Sequence, residues 1–185
     1  MNSDDNERAV GQYRSYLLLL ARMQLDPRPQ CRMEASDIVQ HTLLEAHVKR
    51  QQFAGDEAAF AAWLRVALAN NIRDALRHAR RQKRDVQRER PLDMAMDQSS
   101  ARLARCLALD QSSPSRLAMR NEDLLRLSDA LLALPEAQRE AVVLHHLQDW
   151  SLNEVAVHLG RTDAAVAGLL HRGLRRLREL MNTVN

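Results

Sequence analysis

The stretch from residue 150 to residue 180 constrains the fold of this chain more than any other. Ser151 and Glu154 have the Ser-x-x-Glu spacing of a capping box, in which the serine hydroxyl accepts a hydrogen bond from an amide of the first helical turn. The glutamate carboxylate accepts one from the amide of the cap residue in return. A short helix is therefore predicted to begin after Ser151, and Gly160 predicts its end in a left-handed conformation.

A second, longer helix is predicted to follow this turn, with Thr162 or Asp163 placed to cap it. Apolar residues recur along it at helical spacing: Val166, Leu169, Leu170, Leu174, Leu177 and Leu180. Its other face carries small residues followed by basic ones: Ala164, Ala167, Gly168, His171, Arg172, Arg175 and Arg176. Small residues allow close approach to base edges and arginines hold phosphates, so the pattern predicts a DNA-binding helix-turn-helix. A helical hairpin with a solvated basic face is the alternative interpretation.

The rest of the chain also favours helices. Alternating patterns typical of strands are nearly absent, and five glycines and five prolines in 185 residues leave little room for a sheet and its turns. We expect an all-α protein with two small helical domains joined by a flexible linker. The first domain is predicted to span residues 1–90, the serine- and proline-containing linker residues 91–115, and the second domain residues 116–185.

Three helices are predicted in the first domain. They should extend over about residues 5–23, from a cap at Ser36 or Asp37 to about residue 51, and over about residues 57–88. In the third helix, Phe60 and Trp63 are three residues apart. We interpret this pair as core rather than as a platform for stacking on bases.

Basic residues are concentrated in two segments. The net charge is only +3, but nine basic residues face three acidic ones between residues 65 and 90. Between residues 161 and 178, five arginines face one acidic residue. Two separated basic patches suit a polyanion held at two places, such as DNA.

Several classes of function are disfavoured. The sequence has no carboxylate pair, nucleophile–base set, glycine-rich phosphate loop or metal-ligand cluster, so we expect no enzymatic activity, no cofactor and no metal. Cys31 and Cys106 are isolated, which fits a reducing compartment. The apolar run at residues 17–20 is too short for a membrane span and is not preceded by the basic segment of a signal peptide. We therefore expect a cytoplasmic location.

Three segments, in this order, resemble the extracytoplasmic-function sigma factors, the group 4 sigma subunits of bacterial RNA polymerase. Residues 37–46, DIVQHTLLEA, resemble region 2.2 of that family. Residues 60–77, FAAWLRVALANNIRDALR, resemble regions 2.3 and 2.4. Residues 134–142, LPEAQREAV, with the helix-turn-helix that ends in LHRGLRRLREL, resemble region 4. The resemblance covers nearly the whole chain.

The resemblance implies a sigma factor that binds the clamp and flap of core RNA polymerase and directs it to promoter DNA. Candidates for the core polymerase contact are Asp37, Gln40, His41, Leu44 and Glu45. Candidates for the −10 contact, where asparagines can bind base edges and arginines phosphates, are Asn70, Asn71, Arg73, Asp74, Arg77, Arg80 and Arg81. Candidates for the −35 contact are Arg161, Thr162, Asp163, Ala164, Ala167, Gly168, His171, Arg172, Arg175 and Arg176. An anti-sigma factor is a further partner common in the family.

The sequence departs from the family pattern in both domains. His41 stands where the family usually has an acid and Leu43 where an aromatic residue is common, and for Leu44 we favour a core position over the polymerase contact. In the second predicted helix of the helix-turn-helix, the family often has Lys, Ser and Arg at the positions that Ala167, Gly168 and Leu169 occupy here. Gly168 and Gly173 each cost about 1 kcal/mol relative to alanine inside a helix. A close approach to DNA or to a neighbouring helix would explain these two glycines.

Two other functions remain open at this level. A stand-alone helix-turn-helix regulator would use the same DNA-binding motif without polymerase, but it leaves the first domain unexplained. A helical adaptor would use its basic faces to bind an acidic protein. DNA binding with a steep salt dependence would argue against the adaptor.

Overall fold

The computed structural model describes residues 8–25, 34–82, 92–108 and 119–182. A helical turn over residues 8–11 precedes the first full helix. The elements are α1 (Arg14–Gln24), α2 (Ala35–Arg50), α3 (Glu57–Gln82), α4 (Leu92–Ala108), α5 (Met119–Leu132), α6 (Glu136–Val142), a π-helical turn (Val143–Leu147), α7 (Leu152–Leu159) and α8 (Asp163–Asn182). All elements of the described residues are thus helical, and the predicted all-α class is confirmed. The chain divides into two compact units, residues 1–100 and 101–185.

The core of the first unit forms where α1, α2 and α3 pack together. Phe60 is fully buried and contacts Tyr13 and Phe53 edge to face, with ring centroids 5.6 Å and 5.3 Å apart. Trp63 stacks on Phe60 at 5.9 Å, and the Arg50 guanidinium lies 4.4 Å from the centroid of the Phe60 ring. The core interpretation is therefore confirmed for Phe60, whereas Trp63 is half-buried and packs on the edge of this core.

The predicted start of the second helix was wrong by two to three residues. Glu34 occupies the cap position of α2, and Ser36 and Asp37 lie inside the first turn. The Ser36 hydroxyl donates to the Glu34 carboxylate instead of capping the helix. Asp37 still suits its position, because negative charge in the first turn interacts favourably with the helix dipole.

Helix α4 occupies most of the segment for which we predicted a flexible linker. Residues 92–108 of this segment form one continuous helix. Residues 109–118, the remainder up to the start of α5, lie outside the described residues. The described part of this segment is thus a helix rather than a flexible chain.

Contacts with α1 explain why the N-terminal half of α4 is ordered. Met96 is fully buried, and Ser99 accepts a hydrogen bond from the Gln24 amide at 2.9 Å. The Tyr16 hydroxyl donates to the Ser100 hydroxyl, also at 2.9 Å. Ser99 and Ser100, which indicate a linker in the sequence, therefore make tertiary contacts in the structure.

In the second unit, α5, α6 and α7 each pack against α8. The buried residues of the first three helices include Leu127, Leu131, Val142 and Val155. Gly173 of α8 is buried where α8 meets α6, and a Cβ added there would lie 3.0 Å from Val142 Cγ2. A close approach to a neighbouring helix therefore accounts for Gly173.

Candidate DNA-binding and polymerase-binding surfaces

The predicted capping box begins the helix-turn-helix. The Ser151 hydroxyl accepts from the Glu154 amide at 3.2 Å, and the Ser151 amide donates to the Glu154 carboxylate at 2.7 Å. The Ser151 hydroxyl also donates to the Glu154 carboxylate at 2.7 Å, and this bond, together with the one from the Ser151 amide, holds the pKa of the Glu154 carboxyl below its ordinary value. The prediction of a capping box is confirmed.

The turn between the two helices also follows the prediction. Gly160 has φ 61° and ψ 38°, a left-handed conformation that glycine adopts at little cost. The Arg161 amide then donates to the Ala156 carbonyl at 2.9 Å. Thr162 caps α8, because its hydroxyl accepts from the Ala165 amide at 3.2 Å.

Helix α8 separates an apolar face from a basic one. Val166, Leu169 and Leu170 are buried. The predicted DNA-facing residues are exposed, apart from half-buried Gly168: Arg161, Thr162, Asp163, Ala164, Ala167, His171, Arg172, Arg175 and Arg176. The structure thus brings all ten candidate −35 residues to one exposed surface that begins at the turn.

The arginines on this surface differ in their ion pairs. Arg175 and Arg176 both lie near Glu179, at 3.8 Å and 3.0 Å. Arg161 and Arg172 have no acidic partner among the described residues. Their positive charges are therefore not offset by a neighbouring carboxylate.

Helix α2 presents the candidate polymerase-binding residues. Its buried residues are Ile38, Val39, Thr42 and Ala46, which face the core of the first unit. The five candidates are all exposed: Asp37, Gln40, His41, Leu44 and Glu45.

Our preference for Leu44 as a core residue was wrong, because 63% of its surface is exposed. Leu44 lies two residues from both Thr42 and Ala46, which places it on the opposite side of the helix from these buried positions. Val48, four residues further on, is 66% exposed. We call Leu44 and Val48 the α2 apolar pair.

Helix α3 places the candidate −10 residues in two different surroundings. Asn70 is exposed and accepts from the Arg73 guanidinium, and Arg77 pairs with Asp74 at 3.2 Å. Asn71 instead faces α2, where its amide donates to the Thr42 hydroxyl at 3.0 Å and to the Glu45 carboxylate at 3.3 Å. Arg80 and Arg81 belong to α3, but their side chains lie outside the part of the chain that the structure describes.

The sequence analysis missed the structure of the segment that precedes the helix-turn-helix. Residues 143–147 form a π-helical turn, and Asp149 has φ 58°, an uncommon conformation for a residue with a side chain. Arg102 of α4 donates to the Leu147 carbonyl at 3.0 Å and pairs with Asp149 at 3.1 Å. The tolerance of aspartate for left-handed backbone was the only local signal in the sequence.

The described residues lack two further features. They contain no group of three histidine, cysteine or acidic side chains that could hold a metal ion. They also contain no helix that is both long and apolar enough to cross a membrane.

Comparison with known proteins assigns a family. Residues 12–82 match Sigma-70 region 2, and residues 124–177 match Sigma-70 region 4. The RNA polymerase sigma factor CarQ of Myxococcus xanthus is 35% identical over 147 residues, which are 80% of this chain and 74% of CarQ. The ECF RNA polymerase sigma factor SigL of Mycobacterium tuberculosis is 32% identical over 146 residues, which are 78% of this chain and 73% of SigL.

Among solved structures, the chain is similar to the sigma factor RpoE in its complex with the anti-sigma factor NepR from Bartonella quintana. The identity is 21%, the similarity covers 98% of this chain and 97% of that one, and the TM-score of 0.36 is too low to support an argument. The assignment depends on the sequence relatives and on the two matched regions, which contain the exposed surfaces of α2, α3 and α8. The chain belongs to the extracytoplasmic-function sigma factors of RNA polymerase.

Proposed function

We propose that this sigma factor binds core RNA polymerase, directs it to promoters through −10 and −35 contacts, and assists DNA opening without catalysing a reaction itself. The observation that carries the proposal is the exposed basic face of α8, which follows a capped and tightly turned helix. Such a helix fits the major groove, and its exposed arginines suit base edges and phosphates. We place this activity in the cytoplasm, with core polymerase and promoter DNA as partners and an anti-sigma factor as a further partner.

For the −35 contact, we assign the exposed surface of α8 and of the turn before it. Ala164 and Ala167 present only methyl groups, so they allow the helix to lie close to base edges. Arg161 and Arg172, without acidic partners among the described residues, are the cations most available to DNA. Arg175 and Arg176 lie further along the helix, where they suit phosphate contacts.

For the −10 contact, we assign the outer face of α3, with the exposed Asn70, Asp74 and Arg77 and the half-buried Arg73. Asn70 is exposed, so its amide can reach a base edge once the Arg73 guanidinium moves to a phosphate. Asn71 is better suited to hold α3 against α2, because Thr42 and Glu45 already accept from its amide. Arg80 and Arg81 are included in this proposal only because this part of the chain resembles region 2 of the family.

For the polymerase contact, we assign the exposed face of α2. Leu44 is a large apolar side chain that water surrounds in the free protein, and the neighbouring Val48 extends the apolar surface. Apolar side chains at the centre of an interface, with polar groups around them, are the usual arrangement in protein complexes. Gln40, His41 and Glu45 can supply these polar groups.

Run-off transcription tests the proposed function. Purified core polymerase and a pool of genomic promoter fragments are incubated with and without the protein. We expect discrete new transcripts whose templates share two spaced upstream sequence elements. Sequence-specific retention of DNA by the protein alone, without transcripts, would instead support a stand-alone regulator.

The α2 apolar pair gives a second, residue-level test. We expect Leu44→Ser to weaken binding to core polymerase about 5- to 30-fold, the effect of losing roughly 1–2 kcal/mol at an interface. Met94→Ser is the matched control, because Met94 is 60% exposed in the same unit and has no assigned role. Equal affinities of the two variants would remove Leu44 from the polymerase contact.

A further inference from the structure

Gly168 lies beneath the guanidinium group of Arg172. A Cβ added at Gly168 would lie 3.2 Å from Arg172 Nη1, 3.7 Å from Nη2 and 3.8 Å from Cζ, and these are the three nearest atoms. Helical side chains point back toward the N-terminus, so a residue at i+4 passes over residue i. The missing side chain at Gly168 therefore leaves the space that the Arg172 guanidinium occupies.

This position directs Arg172 toward the beginning of α8. The N-terminal part of a recognition helix is the part that meets base edges in the major groove. Ala164 and Ala167 are exposed there, and their methyl groups are too short to keep the guanidinium away from a base. Arg175 and Arg176 lie further along α8 and near Glu179, so Arg172 is the better placed of the three to reach a base.

We propose that Gly168 and Arg172 act together as a specificity determinant that recognises a guanine in the −35 element. Arginine donates two hydrogen bonds to guanine O6 and N7, the commonest specific contact in the major groove. Two simultaneous bonds require the guanidinium to lie in the plane of the base, and the open space at Gly168 lets it lie back over the first turns of α8. Gly168 is then a positioning residue and Arg172 the residue that contacts the base. This inference depends on the proposed −35 contact of α8.

The experiment uses the full chain bound to core polymerase. The probe is the strongest promoter recovered by run-off transcription, together with every single base-pair substitution in its upstream element. We expect Arg172→Ala to abolish the preference for one G·C pair, a change of roughly 5- to 150-fold at that position. Arg176→Ala, the matched control, should weaken binding to all sequences alike, as loss of a phosphate contact does.

Substitutions at Gly168 test the positioning role. Gly168→Leu should abolish the preference at the same base pair, because its side chain occupies the place of the guanidinium. Gly168→Leu combined with Arg172→Ala should bind like Arg172→Ala alone, since the leucine then has no arginine to displace. A leucine that simply blocked DNA would lower binding further in the double variant, and this result would overturn the positioning role.

The outcomes separate this inference from the proposed function. If the wild-type holoenzyme shows no dependence on the upstream element, the −35 contact itself is wrong. If that dependence is present but Arg172→Ala lowers all affinities equally, Arg172 binds a phosphate and the guanine assignment is wrong. If Gly168→Leu leaves every base preference unchanged, Gly168 does not position Arg172.

Discussion

Two glycines lie five residues apart on α8 and have opposite surroundings. Gly173 is buried against α6, where an added Cβ would lie 3.0 Å from Val142 Cγ2 and 3.4 Å from Gln138 Cβ. Val142 is buried and β-branched, so its side chain cannot easily rotate away. At Gly168, the three atoms nearest to an added Cβ, apart from the neighbouring residues and the helix backbone, belong to the flexible end of Arg172.

We expect Gly168→Ala to raise the free energy of unfolding by up to about 1 kcal/mol, the gain in helix propensity. Gly173→Ala has the same gain, but overpacking against Val142 should cost about 1–3 kcal/mol. Both variants have the same gain in helix propensity. The difference between their free energies of unfolding therefore measures the cost of packing the new methyl group against Val142. Urea denaturation of both variants measures this difference, and equal stabilities would mean that α6 moves to accommodate the methyl group.

At the scale of elements, the junction between α6 and α7 combines unusual backbone with specific contacts. The Trp150 amide donates to the Leu144 carbonyl at 3.1 Å, and His145 Nδ1 donates to the Trp150 carbonyl at 2.7 Å. Arg102 adds its two contacts to Leu147 and Asp149. The π-helical turn and the left-handed Asp149 are therefore held from both sides, and they fix where α7 begins.

We expect Arg102→Ala to lower the stability of the second unit by about 1–2 kcal/mol. Most of the loss should come from the charged hydrogen bond to the Leu147 carbonyl. The ion pair contributes less, because the Asp149 side chain is 65% exposed and water screens it. Denaturation followed by Trp150 fluorescence in a Trp63→Phe background measures the loss.

Asp149→Gly is the control for this prediction. It removes the same ion pair but relieves the left-handed backbone, so we expect no loss of stability or a small gain. A loss as large as that of Arg102→Ala would mean that the ion pair, rather than the bond to the carbonyl, provides the stabilisation.

These elements also show what the sequence could predict. The capping box at Ser151 and the left-handed Gly160 depend on interactions within a few residues, and both appear as predicted. Leu44 was wrongly expected in the core, because helical periodicity identifies apolar positions without showing which of them the neighbouring helices cover. The contacts of Ser99 and Arg102 join residues far apart in the chain, so no local pattern indicates them.

At the scale of the whole molecule, each unit has its own core and one of the two tryptophans. Trp63 stacks on Phe60 in the first unit. Trp150 contacts His158 edge to face in the second, with ring centroids 5.3 Å apart. Trp150→Phe and Trp63→Phe therefore leave one fluorescent reporter in each unit.

We expect two separate unfolding transitions rather than one. Units with their own cores need not unfold together, and proteins built of such units commonly depart from two-state behaviour. In urea, the Trp63 and Trp150 reporters should give different midpoints. Each slope should also be smaller than that of a single 185-residue unit, because less surface is exposed in each step. Coincident curves would show that the chain unfolds as one cooperative unit.

The pH dependence of the two transitions should also differ, because of His146. Burial, and to a lesser extent the neighbouring His145, lowers the pKa of His146 below its ordinary value of 6.5. Between these two pKa values the unfolded chain binds more protons than the folded one, so stability falls as the pH decreases. The stabilisation is complete above pH 6.5 and is lost as the pH falls through the folded pKa.

We therefore expect the Trp150 midpoint in urea to decrease as the pH is lowered from 6.5 to about 5, where most carboxylates remain ionised. His146→Gln should remove this decrease, because glutamine does not bind a proton in this pH range. His171→Gln should retain it, since His171 is exposed on α8 and serves as the matched control. If the decrease persists unchanged in His146→Gln, another group in the second unit is responsible for it.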